Sequence, residues 1–321
     1  MTPDIIEYRF TDVDQMAQPV REAGVVFRQL SAGLFAGGTT RMLFGDLKIH
    51  HTWSSPTTFS RVDPDPDSVF FLVPIRWHGE LLWNGRPVES PTLIVQAGGD
   101  EYTRRATSLN GFTFAVSHHE LTGTLAVLGG REPEDVAPRS GILPPELPGF
   151  AALRQALSGL ASQLRISPRS IEDESFVSAA RNRILASCVD VLLAAGGALD
   201  EPPPSLPRRL RITRKVEEFA LEALPRAVSL AEMCRAAGVS ARALQYAFQD
   251  LYGMSPLNYV KLRRLGLARK TLLASPGRAS PVKWAAIGAG FSELGRFSAE
   301  YRALFGERPS ETVLRTRQEG V

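Results

Sequence analysis

Two spacings of apolar residues divide the chain. From about residue 7 to 128 the apolar runs are short and rich in β-branched and aromatic side chains: Met42-Leu43-Phe44, Leu47-Lys48-Ile49, Val69-Phe70-Phe71-Leu72-Val73, Glu80-Leu81-Leu82-Trp83, Thr92-Leu93-Ile94-Val95 and Phe112-Thr113-Phe114-Ala115-Val116. Turn signals separate them: Asp63-Pro64-Asp65-Pro66-Asp67, Asn84-Gly85, Gly98-Gly99-Asp100 and Asn110-Gly111. Short strands at such spacing predict an all-β barrel or sandwich. Trp83-Asn84-Gly85-Arg86 reads as a tight hairpin, because Asn-Gly accepts positive φ at both central positions. From about 149 to 196 the period becomes helical. Leu153, Leu157, Leu160 and Leu164 lie on one stripe, and Phe176, Ile184, Leu185, Cys188, Val189 and Leu192 on another. These helices need partners, either the barrel or a second subunit.

Asp200-Glu201-Pro202-Pro203-Pro204-Ser205-Leu206-Pro207 cannot be helix interior, since proline lacks the amide hydrogen and clashes with the preceding turn. Residues 200–208 therefore read as a linker. It separates a first domain, 1–199 (barrel to about 148, helices at about 149–196), from a second, 209–321. The second is helical throughout. Leu210, Val216, Phe219 and Leu224 mark its first helix, which Pro225 closes.

The second domain repeats itself. Leu230-Ala231-Glu232-Met233-Cys234-Arg235-Ala236-Ala237-Gly238-Val239-Ser240 aligns with Val282-Lys283-Trp284-Ala285-Ala286-Ile287-Gly288-Ala289-Gly290-Phe291-Ser292 at an offset of 52. Each continues into a helix, Leu244, Phe248, Leu251 and Gly253 against Phe297, Tyr301, Leu304 and Gly306, at an offset of 53. One residue is thus inserted in the second turn. A short helix, a turn with glycine and a second helix make a helix-turn-helix. Gly238 and Gly290 suit the left-handed end of the first helix. Ser240 and Ser292 suit the N-cap of the second. With Leu244, Phe248 and Leu251 turned inward, Ser240, Ala241, Arg242, Gln245 and Tyr246 are left to enter a DNA major groove. Arg296 and Ser298 are the candidates in the second copy. Residues 256–274 between the copies predict one connecting helix, and nineteen residues at about 1.5 Å each give about 28 Å. Its Lys261, Arg263, Arg264, Arg269 and Lys270 offer charge to phosphates.

Charge sharpens this division. Residues 1–207 hold 17 Lys/Arg against 24 Asp/Glu, and residues 208–321 hold 20 against 10. Only the second part is suited to a polyanion.

These motifs, above all Gly290-Phe291-Ser292, Phe297-Ser298, Tyr301-Arg302, Leu304-Phe305-Gly306 and Arg308-Pro309-Ser310, resemble the C-terminal DNA-binding domain of the AraC/XylS family of bacterial transcription regulators. Ala299 stands where the family usually has a basic residue. The resemblance implies an α+β protein: an N-terminal cupin-like β-barrel with dimerisation helices, then an all-α domain of two helix-turn-helix motifs joined by a linker helix. It also implies a regulator, an activator rather than a repressor. Implied partners are double-stranded promoter or operator DNA, RNA polymerase, a small-molecule effector in the barrel and a second copy of the chain. The alternatives are a regulator whose barrel serves only as scaffold, and a cupin-like enzyme fused to a DNA-binding domain.

Candidate chemistry in the first domain is sparse. His50 and His51 point to opposite faces of a strand, and His118 and Glu120 would share one face with His119 opposed. The His-x-His and glutamate spacing of a metal cupin is missing, so neither metal nor other cofactor is expected. His78 reads as a turn residue, Trp53, Trp77, Trp83 and Arg76 as core or pocket lining. Cys188 and Cys234 are too few for a disulfide framework and read as small hydrophobes. No catalytic arrangement or phosphate loop is found, so no enzyme is expected. Met1-Thr2-Pro3-Asp4-Ile5-Ile6-Glu7 has no basic head or apolar stretch. No run approaches the roughly 20 apolar residues of a membrane span. A cytoplasmic protein without membrane contact is the expectation.

Overall fold

A computed structural model gives the structure, which describes residues 4–20, 24–44, 47–274 and 279–319. The chain divides into two compact units, Met1–Gln29 with Phe35–Pro203, and Leu30–Leu34 with Pro204–Val321. The α+β expectation holds, with strands in the first unit and helices in the second. No helix among the described residues is long and apolar enough to cross a membrane.

Among the described residues, twelve strands build the first unit: β1 (Asp4–Phe10), β2 (Gly24–Gln29), β3 (Ala36–Phe44), β4 (Leu47–Ser55), β5 (Thr58–Asp63), β6 (Ser68–Arg76), β7 (Leu81–Trp83), β8 (Arg86–Pro87), β9 (Ile94–Gln96), β10 (Tyr102–Ala106), β11 (Asn110–Ser117) and β12 (Gly141–Ile142). They form a seven-stranded sheet, β1-β3-β4-β11-β6-β9-β12, and a five-stranded sheet, β2-β5-β10-β7-β8. Every pairing between them is antiparallel. The β7–β8 hairpin turns at Asn84 and Gly85, with φ of 52° and 78°, as the Asn-Gly pair requires.

Among the described residues, four α-helices complete the unit: α1 (His118–Gly129), α2 (Pro133–Val136), α3 (Phe150–Ile166) and α4 (Glu174–Ala195). His118, His119 and Glu120 were expected on a strand. They instead open α1, where the Ser117 hydroxyl accepts the Glu120 amide. The apolar stripes of α3 and α4 settle the open choice of partner. Leu153, Leu157, Leu160, Leu164, Ile184 and Cys188 share one core with Met42, Ile49, Phe71 and Phe114 of the sheet. The exposed positions of α3 are Ala151, Ala152, Arg154, Gln155, Gly159, Ser162, Gln163, Arg165 and Ile166, so its leucine stripe is taken up inside the unit.

Among the described residues, seven helices make the second unit: α5 (Leu206–Glu222), α6 (Leu230–Ala237), α7 (Ala241–Tyr252), α8 (Pro256–Ala274), α9 (Pro281–Gly288), α10 (Leu294–Phe305) and α11 (Pro309–Glu319). Three residues expected in the linker, Leu206, Pro207 and Arg208, are the first of α5. Proline is tolerated there because first-turn amides have no intrahelical acceptor. Asp200, also expected in the linker, pairs with Ile142. The long helix α8 runs between two small cores. Tyr259 stacks on Tyr252 at 3.9 Å on one side. On the other, Leu265, Ala268 and Leu272 pack with Ala285, Phe297, Tyr301 and Phe305.

Candidate nucleic-acid interface

In the first copy each turn is locally specified. Ser229 and Glu232 form a reciprocal capping box at the start of α6. Gly238 ends it at φ 68°, and its amide and that of Val239 bond the carbonyls of Arg235 and Cys234. The Ser240 hydroxyl then accepts the Ala243 amide at 3.3 Å and starts α7. Leu244, Ala247, Phe248 and Leu251 are buried, which fixes the rotation of the helix. Ser240, Ala241, Arg242, Gln245 and Tyr246 are all exposed, together on the outer face. The Arg242 guanidinium lies 5.5 Å from the Tyr246 ring centre. Gln249, one turn further along, is exposed on the same face and was not singled out from sequence, although the i+4 rule from Gln245 reaches it.

The second copy keeps the wiring and loses the caps. Gly290, at φ 80°, and Phe291 bond the carbonyls of Ile287 and Ala286, the counterparts of the Gly238 bonds. Ser292, however, is not the N-cap. The inserted residue moves the helix start to Leu294, behind Glu293, whose side chain makes no capping bond. Because α7 and α10 both have 12 residues, the register is 53 throughout. Gly295, Ser298 and Ala299 thus occupy the places of Arg242, Gln245 and Tyr246, and Arg302 that of Gln249. Arg296 stands in the place of half-buried Ala243. It is exposed, but its Nε bonds Glu300 at 3.2 Å, so it departs from the outer row of the first copy. Ser298 is half-buried at the expected position, and the exposed Arg302 is the residue sequence reading missed.

The connecting helix engages several of its cations within the unit. Arg263 pairs with the buried Glu217 of α5 at 3.2 Å. Arg264 donates to the carbonyls of Ala289 (2.7 Å) and Gly290, and stacks 4.8 Å from the Phe291 ring centre. A Cβ at position 290 would meet both that guanidinium and the Pro225 carbonyl, so glycine is needed there for space as well as for φ. Arg269 is buried and donates to Glu307 at 2.7 Å and to the Tyr301 hydroxyl at 3.2 Å. These three guanidinium groups all have partners inside the unit. Lys261 is half-exposed, 3.5 Å from Glu300, whereas Lys270 is exposed.

The first unit holds a cavity of about 1100 Å³ between its sheets. Of the residues expected to line it, Trp83 does, Trp53 is exposed and Trp77 packs beside it. His50 faces the cavity, and burial first, then the charges of Arg41 and Lys48, pushes its pKa down to about 4. His51 points the other way, stacked 4.3 Å from Phe112 and 3.1 Å from the Asn110 side-chain oxygen. Burial pushes the Cys188 thiol up, out of the reactive range. Among the described residues no group of three or more His, Cys, Asp or Glu could hold a metal.

Comparison with known proteins bears on the second unit above all. Residues 233–315 match the family model of a helix-turn-helix domain. The chain is 36% identical over 167 residues to the "Probable thc operon regulatory protein" of Rhodococcus erythropolis, covering 50% of this chain and 48% of that one. It is 34% identical over 99 residues to the "XylDLEGF operon transcriptional activator 2" of Pseudomonas putida, covering 31% of this chain and 63% of that one. It therefore spans less than two thirds of the length of these relatives. A solved structure, "a probable AraC family transcriptional regulator from Rhodopseudomonas palustris CGA009", is 37% identical and covered over 96% of its length by 33% of this chain, with a TM-score of 0.30. Residues 233–315 thus carry a helix-turn-helix domain of the AraC type, and the curated proteins similar to this chain are XylS/AraC-family regulators.

Proposed function

We propose that the chain is a sequence-specific regulator of transcription that reads promoter DNA mainly through α7. One observation carries the reading. On α7 a fully buried apolar row fixes the helix, and the opposite row presents Arg242, Gln245, Tyr246 and Gln249 to solvent. Arginine pairs with guanine edges and glutamine with adenine edges, each worth about 1–3 kcal/mol of base discrimination. On α10, Ser298 and Arg302 offer a weaker second reading, helped toward phosphates by Lys270, Lys283 and Arg308, all exposed. The relatives named as operon activators support activation, hence a contact with RNA polymerase in the cytoplasm. The cavity of the first unit supports a small-molecule effector. A dimer on a repeated or palindromic site would use a surface other than the buried stripes of α3 and α4.

Selection of bound duplexes from a random library tests the proposal. The expected result is one enriched motif with a strong half and a weaker half about one helical turn away. A pool that remains random after repeated rounds would overturn it.

A further inference from the structure

The two helix-turn-helix copies carry opposite chemistry on the same surface. At the offset of 53, Ala241, Arg242 and Tyr246 of α7 correspond to Leu294, Gly295 and Ala299 of α10. All three α10 residues are exposed, Leu294 at 39%. A Cβ at position 295 would meet nothing within 4 Å, so the space above the first turn is open. Where α7 shows a guanidinium and a phenol, α10 shows a leucine, a methyl group and bare backbone. Beside this apolar row lies a cleft of about 240 Å³, lined by Ser298, Ala299 and Arg302 of α10 with Val282, Arg308 and Ser310. Arg302 and Arg308 are exposed, and among the described residues no carboxylate pairs with either guanidinium. Glu300 is taken by Arg296 and Lys261, and Glu311 accepts the Arg308 backbone amide at 2.6 Å. In the first copy the places of Arg302, Arg308 and Ser310 are held by Gln249, Ser255 and Leu257, so the charged cleft belongs to the second copy alone.

The N-terminal residues of a recognition helix are the ones that reach base edges. Among the base edges of the major groove, thymine alone carries a methyl group, and apolar side chains recognise it by contact. We propose that α10 recognises thymine through its C5 methyl group, packed against Leu294 and Ala299. Gly295 lets the helix lie close to the base pair, and Arg302 and Arg308 hold a backbone phosphate at the cleft alongside. This rests on the reading of the chain as a DNA-binding regulator. It makes the weaker half of the site a preference for T·A pairs set by apolar contact, whereas α7 reads its half by hydrogen bonds.

The test uses the full chain and the selected duplex, with each thymine of the weaker half replaced singly by uracil. The replacement removes one methyl group and leaves every hydrogen-bonding group in place. At least one position should lose about fourfold in affinity, the value of one buried methyl group. Leu294→Ala or Ala299→Gly should abolish the difference between thymine and uracil at that position, with the base preferences of the half read by α7 unchanged. A weaker half without a T·A pair, no position in it sensitive to uracil, or a uracil effect that survives both substitutions overturns the thymine proposal and leaves the DNA-binding reading intact. Failure to enrich any duplex overturns both. The thymine–uracil comparison in the unsubstituted chain stands even if a variant fails to fold.

Discussion

Buried and half-buried arginines in the two units have opposite circumstances. In the helical unit Arg269 meets Glu307 and Tyr301, Arg263 meets Glu217, and Arg264 closes the turn of the second copy through two carbonyls. In the β unit Arg41 and Arg104 face a cavity and meet no carboxylate among the described residues. The same side chain is therefore partnered in one place and without a carboxylate in the other. Burial alone does not tell which. The partner does, because an ion pair offsets desolvation and an orphan charge leaves it as a cost to the empty fold.

The sharpest way to break this contrast is Arg269→Ala. Removing one member of a buried pair costs about 3–5 kcal/mol. The low end is expected, since Arg315 remains 3.0 Å from Glu307. Urea unfolding of the helical unit measures it, and a loss below about 1 kcal/mol would make the pair incidental.

Acid tests the β unit. His50 is neutral in the fold, its pKa lowered from 6.5 to about 4. As pH falls through 6.5 the unfolded chain takes up this proton first, so the stability it contributes is full above that pH and is lost by about pH 4. The loss is on the order of 3 kcal/mol, arising first from burial and then from the charges of Arg41 and Lys48. His50→Gln should flatten this part of the stability–pH curve.

Arg264→Ala exposes the Ala289 and Gly290 carbonyls and should cost about 1–3 kcal/mol, with faster amide exchange at Gly290 and Phe291 than at Gly238 and Val239. Arg104→Leu has the smallest effect and the opposite sign. Without ligand the β unit should gain about 1 kcal/mol, because an uncompensated charge is removed. A destabilised ligand-free variant would show that Arg104 is structural after all.

The same contrast explains what could be read from sequence. The duplicated copies were legible because local chemistry and burial agree there: glycine at φ 68° and 80°, inward Leu244 and Phe297, and α8 over residues 256–274. The strand β10 was not legible. Its sequence Tyr-Thr-Arg-Arg-Ala turns Tyr102 and Arg104 into a cavity, so the usual alternation of apolar-in and polar-out is broken by an inward charge. Helix α1 was hidden because strand β11 runs into it at Ser117 with no glycine or proline between. The fates of Arg263, Arg264 and Arg269 were hidden as well. Their partners lie 46, 25 and 38 residues away, beyond any local pattern.

The central claim is that bases are read from the outer face of α7 and that the buried arginines of the unit are not part of the reading. The direct measurement is the affinity of Arg242→Ala for the selected duplex and for every single-base variant of it, at fixed salt. The account predicts lost discrimination at one position, about 1–3 kcal/mol, with binding to unrelated DNA unchanged. A uniform weakening across all duplexes would contradict it, and would make Arg242 a backbone contact.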